Sequence, residues 1–164
     1  MEENFKSKNN NKNIDLIGLG NAIVDILVNV DDKFLKENNL EKGSMNLVEV
    51  NQSKDLLKGC KIVKQIAGGS TANTVYALAT LGNKVEFIGR VKDDYYGQNF
   101  SNSIKKSGAI FNSKLVTTDK SSAHSVIFIT PDAQRTMCTY LGASVEFEPS
   151  DLNYNSIHQS KYLY

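Results

Sequence analysis

The run Ala67-Gly68-Gly69-Ser70-Thr71-Ala72-Asn73 constrains this chain more than any other segment. A strand-like stretch, Lys61 to Ile66, precedes it, and apolar residues at helical spacing (Ala72, Val75, Tyr76, Ala79) follow it, with Leu78 and Leu81 beside them. Two glycines between a strand and a helix let a ligand approach the backbone closely, and the unpaired amides of the first helical turn face that ligand. Ser70 or Thr71 is the expected N-cap and Gly82-Asn83 the expected stop. Apolar residues around most of the circumference predict a buried helix. Asn73 falls inside the first turn, a poor place for Asn unless its side chain has a role. No GxxxxGK followed by Ser or Thr occurs, which excludes that class of triphosphate loop.

A second glycine segment, Gly18-Leu19-Gly20-Asn21-Ala22-Ile23, joins two strand-like runs, Ile14 to Gly20 and Ile23 to Val30. A dinucleotide fingerprint would need Gly or Ala where Ile23 stands and a helix where β-branched residues follow. The segment reads either as a tight turn between strands or as a turn whose Asn21, with Asp25 a few residues on, projects into a cleft. A carboxylate accepts from two vicinal hydroxyls while an amide donates or accepts, so this pair suits a sugar.

Elsewhere the pattern predicts a short helix at Phe34 to Asn39, a strand at Met45 to Val50, and a helix opening at Asn51. A strand at Val85 to Ile88 and a helix from Asp94 to Lys106, closed by Gly108, complete a βαβ rhythm and argue for a parallel sheet. Asp93 and Asp94 complement the dipole of that last helix. From Ile110 the texture changes to alternating strands, Lys114 to Thr117, Ser125 to Thr130 and Arg135 to Tyr140. The last two are joined by a turn at Pro131 to Gln134, and this predicts an antiparallel flap. Pro149-Ser150-Asp151 opens a short helix and Lys161 to Tyr164 a further strand. Residues 1–13 are rich in Asn and Lys and are expected to form a disordered tail, so the fold is expected to span 14–164.

At 164 residues and 40% hydrophobic content the chain can build a core without disulfides or structural metal. The net charge of +1, with no basic blocks, leaves no electrostatic footprint for nucleic acid or an anionic membrane. No apolar run approaches the ~20 residues of a membrane span and no signal-peptide pattern opens the chain, so a cytoplasmic location is expected. Cys60 and Cys138 have no CxxC spacing and are expected to be buried free thiols; no metal site is expected. Only Arg90 and Arg135 are arginines, the side chain that grips phosphate or carboxylate bidentately. Arg135, just beyond the hairpin turn, reads equally as an exposed strand residue.

Together, Ala67 to Thr74 followed by Gly82 and Gly89 resemble the first signature of the PfkB (ribokinase-like) family of sugar and nucleoside kinases. Gly20-Asn21-Ala22-Ile23-Val24-Asp25 and Gly89 to Gly97 are similar to two further family segments, with Lys92 where most members have Gly. Gln134-Arg135-Thr136-Met137 and Leu141-Gly142-Ala143 look most like the adenosine kinase branch. The resemblance implies a three-layer αβα body with a mostly parallel sheet, a small β-sheet lid, and ATP-dependent phosphorylation of a sugar or nucleoside hydroxymethyl group. It implies that Asn21 and Asp25 hold sugar hydroxyls, that Gly68, Gly69 and Asn73 complete the pocket, and that Arg135 reaches the transferred phosphoryl group. ATP and Mg²⁺ are the implied cofactors. The family's catalytic Asp, Gly-Ala-Gly-Asp anion hole and ATP site belong to the second half of a chain about twice this length, and none of those motifs occurs here. The expectation is therefore an N-terminal, substrate-and-lid half, inactive alone. Its partner would be a small nucleoside or sugar, with adenosine favoured over fructose or ribose, and the chain either a monomer or a dimer paired through the lid. A non-catalytic sugar- or nucleoside-binding module is the alternative.

Overall fold

The computed structural model describes residues 12–113 and 115–164. The expected tail lies, up to position 11, outside the described residues, as does Lys114 of the expected strand at 114–117.

Strand β1 (Ile14–Leu19) is the centre of a parallel sheet, flanked by β5 (Val85–Ile88) and β10 (Ser160–Leu163). Leu16 faces Val85 on one side and Tyr162 on the other. Helix α3 (Ser70–Thr80) lays Ala72 and Val75 into the main core with Val85 and Phe87. Phe100 of α4 (Tyr95–Lys106) joins them, its ring 5.2 Å from that of Phe87. A smaller cluster of Ile14, Ile17 and Ile88 is covered by Phe147 and by Ile157 of α5 (Tyr154–His158). This is the expected αβα layering.

At Gly20 the chain leaves that sheet for another. Strand β2 (Ile23–Asn29) lies in a five-stranded sheet with β3 (Met45–Leu47), β4 (Ile62–Gly68), β8 (Ala123–Ile129) and β9 (Arg135–Tyr140), in the order β3-β9-β8-β2-β4. Between them in sequence lie α1 (Asp32–Glu37), α2 (Val50–Leu57) and a two-stranded ribbon, β6 (Val91–Lys92) with β7 (Leu115–Val116). The hairpin β8–β9 is as expected, but the lid recruits β2, β3 and β4 as well, giving it five strands to the body's three. The alternation in Ile-Val-Asp-Ile-Leu-Val-Asn explains why. Val24, Ile26 and Val28 point into the core with Val126, Phe128 and Cys138, each of them at most 1% exposed, which contributes about 1.5–3 kcal/mol per large side chain. Ile23, Asp25 and Leu27 are left on the opposite, partly open face.

Four local expectations are corrected. The strand at Met45 stops at Leu47, and Val50 opens α2. The N-cap of α3 is Gly69, not Ser70 or Thr71: its φ of +92° turns the chain directly from β4 into the helix, so Ser70 is already helical. Helix α3 is not buried all round, because strands cover only one of its sides and leave Tyr76 and Leu81 exposed. Both cysteines are free; Cys138 is buried and Cys60 only partly so.

Candidate functional site

The turn between β1 and β2 fits tightly against the start of α3. A Cβ at Gly20 would stand 2.8 Å from Thr71 Oγ1, and one at Gly69 would stand 3.0 Å from the Asn21 carbonyl oxygen. Glycine is therefore required on both sides of this junction, and at Gly69 the positive φ adds to the requirement. A concavity of about 340 Å³ opens there, lined by Gly20, Asn21, Ile23, Gly69, Ser70 and Thr71. Asn21 is exposed at its edge. Asn73 is exposed on the first turn of α3, its backbone N–H donating to the Gly69 carbonyl at 2.9 Å.

Asp25 sits in the middle of β2, opposite Ile66 on β4 and Ser125 on β8, and Ser125 in turn faces Thr139 on β9. Paired residues share a sheet face, so Asp25, Ser125 and Thr139 lie in one row. Ser125 and Thr139 bond through their hydroxyls at 2.7 Å and leave the carboxyl to itself. Gly68 forms its floor, since a Cβ there would run into the carboxyl. Burial pushes the Asp25 carboxyl up to about 6, while the positive charge of Arg135 pulls the other way. Arg135 opens β9 opposite Ile129, on the same face two rows further along, and is exposed.

The structure thus brings Asn21, Asp25, Gly68 and Gly69 together where the two sheets meet. It sets Asn73 on the neighbouring helix turn and Arg135 at the far end of the lid face. Sequence reasoning missed the apolar floor of that face. Ile23, Leu27 and Met137, with Met45 and Leu47 from β3, share it with Asp25 through the strand register. The signal was present in the alternation of β2, but the register that aligns Met45 with Met137 joins strands ninety residues apart. Arg90, the other arginine, is taken by the body: its guanidinium donates to the Glu146 carbonyl at 2.6 Å and to Asp151 at 3.0 Å. Asp94 caps α4, accepting from the Gly97 N–H, as its position predicts.

Among the described residues no cluster of three metal-ligating side chains is present. No helix among them is long and apolar enough to cross a membrane.

The profile of the pfkB family carbohydrate kinases matches residues 39–164. A 5-dehydro-2-deoxygluconokinase of Geobacillus thermodenitrificans is 36% identical over 101 residues, covering 58% of this chain and 29% of that protein. A probable fructokinase-5 of Arabidopsis thaliana is 34% identical over 98 residues, 57% of this chain and 30% of its own. The crystal structure of adenosine kinase from Sinorhizobium meliloti superposes with a TM-score of 0.86 at 39% identity, over 93% of this chain and 46% of that one. A probable sugar kinase from Rhizobium etli does so with a TM-score of 0.85 at 35% identity. The chain thus spans about half the length of these solved structures, and the segments aligned with the Geobacillus and Arabidopsis kinases cover under a third of those proteins.

Proposed function

Because the chain belongs to the pfkB family of carbohydrate kinases, we propose that it supplies the acceptor-binding half of an ATP-dependent kinase acting on the hydroxymethyl group of a nucleoside or sugar. The observation that supports this most is the partly buried Asp25 carboxyl, seated on Gly68 with no protein donor in its sheet row. There it accepts from two vicinal hydroxyls, while Asn21 and Asn73 supply amides from the turn and the helix. The hydroxymethyl group then points out of the sheet junction. Arg135 swings over it and offsets charge on the group in transfer, as phosphoryl transfer demands.

Adenosine is the acceptor we favour. The face around Asp25 extends as an apolar floor through Ile23, Met137 and Leu47, broad enough for a flat base, and the Sinorhizobium meliloti structure is that of an adenosine kinase. A sugar kinase reading draws on the relatives named for 5-dehydro-2-deoxygluconate and fructose. ATP, when bound, supplies the phosphoryl group; among the described residues no group of three or more His, Cys, Asp or Glu side chains is gathered for a metal ion.

Titration calorimetry with adenosine, ribose and fructose on this chain tests the proposal. Saturable binding of adenosine, tighter than of either sugar, is the expected result. Binding of fructose alone would shift the reading to a sugar kinase, and binding of none of the three by a folded chain would refute it. Incubated with ATP, Mg²⁺ and adenosine, the chain alone is expected to form no phosphorylated product.

A further inference from the structure

Behind the lid sheet, on the side away from Asp25, a cavity of about 240 Å³ lies between α2, the start of α4 and β8. The alternation of β8 puts it there: Ser125 faces the acceptor row, so its neighbour His124 points back with Val126 and Phe128. Val50 and Leu57 of α2 and Tyr95 and Tyr96 of α4 form most of the remaining wall. The body's cavity beside Glu86, by contrast, is lined by the amides and carboxyl groups of Asn112, Asn153 and Asp151.

The rings behind the lid are already held in place. Tyr96 stacks on His124 with centroids 4.8 Å apart, and Tyr95 meets Tyr96 edge-on at 5.6 Å. The Tyr95 hydroxyl donates to Gln65 Oε1 at 2.8 Å, which anchors a ring that is 65% exposed. Such a cluster offers a ligand aromatic faces and edges with little side-chain ordering left to do.

The charged groups nearby are spent or in water. Asp94 accepts the Gly97 and Ser122 N–H at 2.9 and 2.8 Å. His124 Nε2 lies 2.7 Å from Ser53 Oγ, and burial holds the imidazole below its usual proton affinity, so it is neutral at neutral pH. Lys54 is exposed. One polar atom is left over: Ser121 Oγ, on the cavity's lining residue, is shut off from solvent and bonds to nothing among the described residues. An unpaired buried hydroxyl costs free energy that a single ligand N–H or O–H recovers. The volume is below the roughly 300–1,000 Å³ of cavities for drug-sized ligands and suits one or two rings.

We propose that this cavity is a binding site for one small, neutral aromatic molecule of one or two fused rings carrying a single N–H or O–H, its rings against Tyr95, Tyr96 and His124 and its polar hydrogen on Ser121 Oγ. The site shares no residue with the acceptor face and stands whether or not the kinase reading does.

Indole is the probe that tests it. The chain has no tryptophan, so indole fluorescence excited beyond the tyrosine band reports the ligand alone. Titration with the wild-type chain is expected to give a saturable blue shift as indole leaves water. Ser121→Ala should weaken that binding several-fold while leaving unaffected the binding of naphthalene, read by its own emission, which has the rings but no N–H. Leu57→Phe, which fills the cavity, should abolish both. No saturable shift with the wild-type chain would overturn the site. The same shift in both variants would overturn it too, by putting indole elsewhere, the acceptor face included. Indole affinity lost in Leu57→Phe but kept in Ser121→Ala would overturn the role given to the hydroxyl, and with it the ligand class. Ser121→Ala removes only an atom without a partner, so if Leu57→Phe does not fold, the contrast between indole and naphthalene in Ser121→Ala decides.

Discussion

The carboxyl of Asp25 on β2 occupies the space above Gly68 on β4, so that any side chain at Gly68 would collide with it. Backbone pairing fixes this contact, because Ile23 lies opposite Gly68 and Asp25 opposite Ile66. Gly68→Ala is expected to force the carboxylate or the strand aside, at about 1–3 kcal/mol of stability. Binding of the acceptor should weaken by at least about tenfold, or roughly 1.4 kcal/mol. Urea unfolding and calorimetry measure the two effects; an alanine variant that binds like wild type would show that Gly68 does not set the carboxyl's position.

Asp25 should oppose folding at neutral pH. Its folded-state value of about 6 lies above the ordinary 3.8, so the folded chain holds more protons between these values. Stability from this group is then fully present below about pH 4 and is lost as pH rises through about 6. Asp25→Asn is expected to stabilise the chain by about 1–3 kcal/mol at pH 7, with no gain at pH 4. Acceptor affinity should move the other way, falling below about pH 6 as the carboxylate protonates. Chemical denaturation of both chains at pH 4 and pH 7 checks the first part, and calorimetry at pH 5 and pH 7 the second.

The two arginines should behave as opposites. Arg90 is largely buried and tied to both Asp151 and a backbone carbonyl, so Arg90→Ala is expected to lower stability by about 3–5 kcal/mol, leaving Asp151 with its partner gone. Arg135 is exposed on the lid, and Arg135→Ala should change stability by less than about 0.5 kcal/mol. Tm measurements on the two variants distinguish them. Equal losses would mean that Arg135 is structural, contrary to its proposed role toward the phosphoryl group.

Much of this was legible locally. The strands Val85–Ile88 and Arg135–Tyr140, the Asp94-capped helix and the turn at Gly20 follow from alternation, capping and glycine, all of which act within a few residues. The sheet switch at Gly20 was not, since β2 reads as a strand in either sheet and only its pairing with β8, a hundred residues on, decides. The expected N-cap of α3 failed because hydroxyl caps are the usual choice, whereas Gly69 makes a turn that no other residue makes without strain. Glu86, a charged residue in an apolar strand, reads in the sequence as Asp25 does, and only the fold separates the one at the lid face from the one in the body's cavity.

Discrimination between adenosine and 2′-deoxyadenosine tests most directly whether Asp25 reads vicinal hydroxyls. Calorimetry on the wild-type chain should show a preference for adenosine of about 10- to 100-fold, matching the roughly 1.5–3 kcal/mol of a hydrogen bond to a charged group. In Asp25→Asn the two nucleosides should bind within about threefold of each other. The same preference in both chains would contradict the assignment of Asp25 to the sugar.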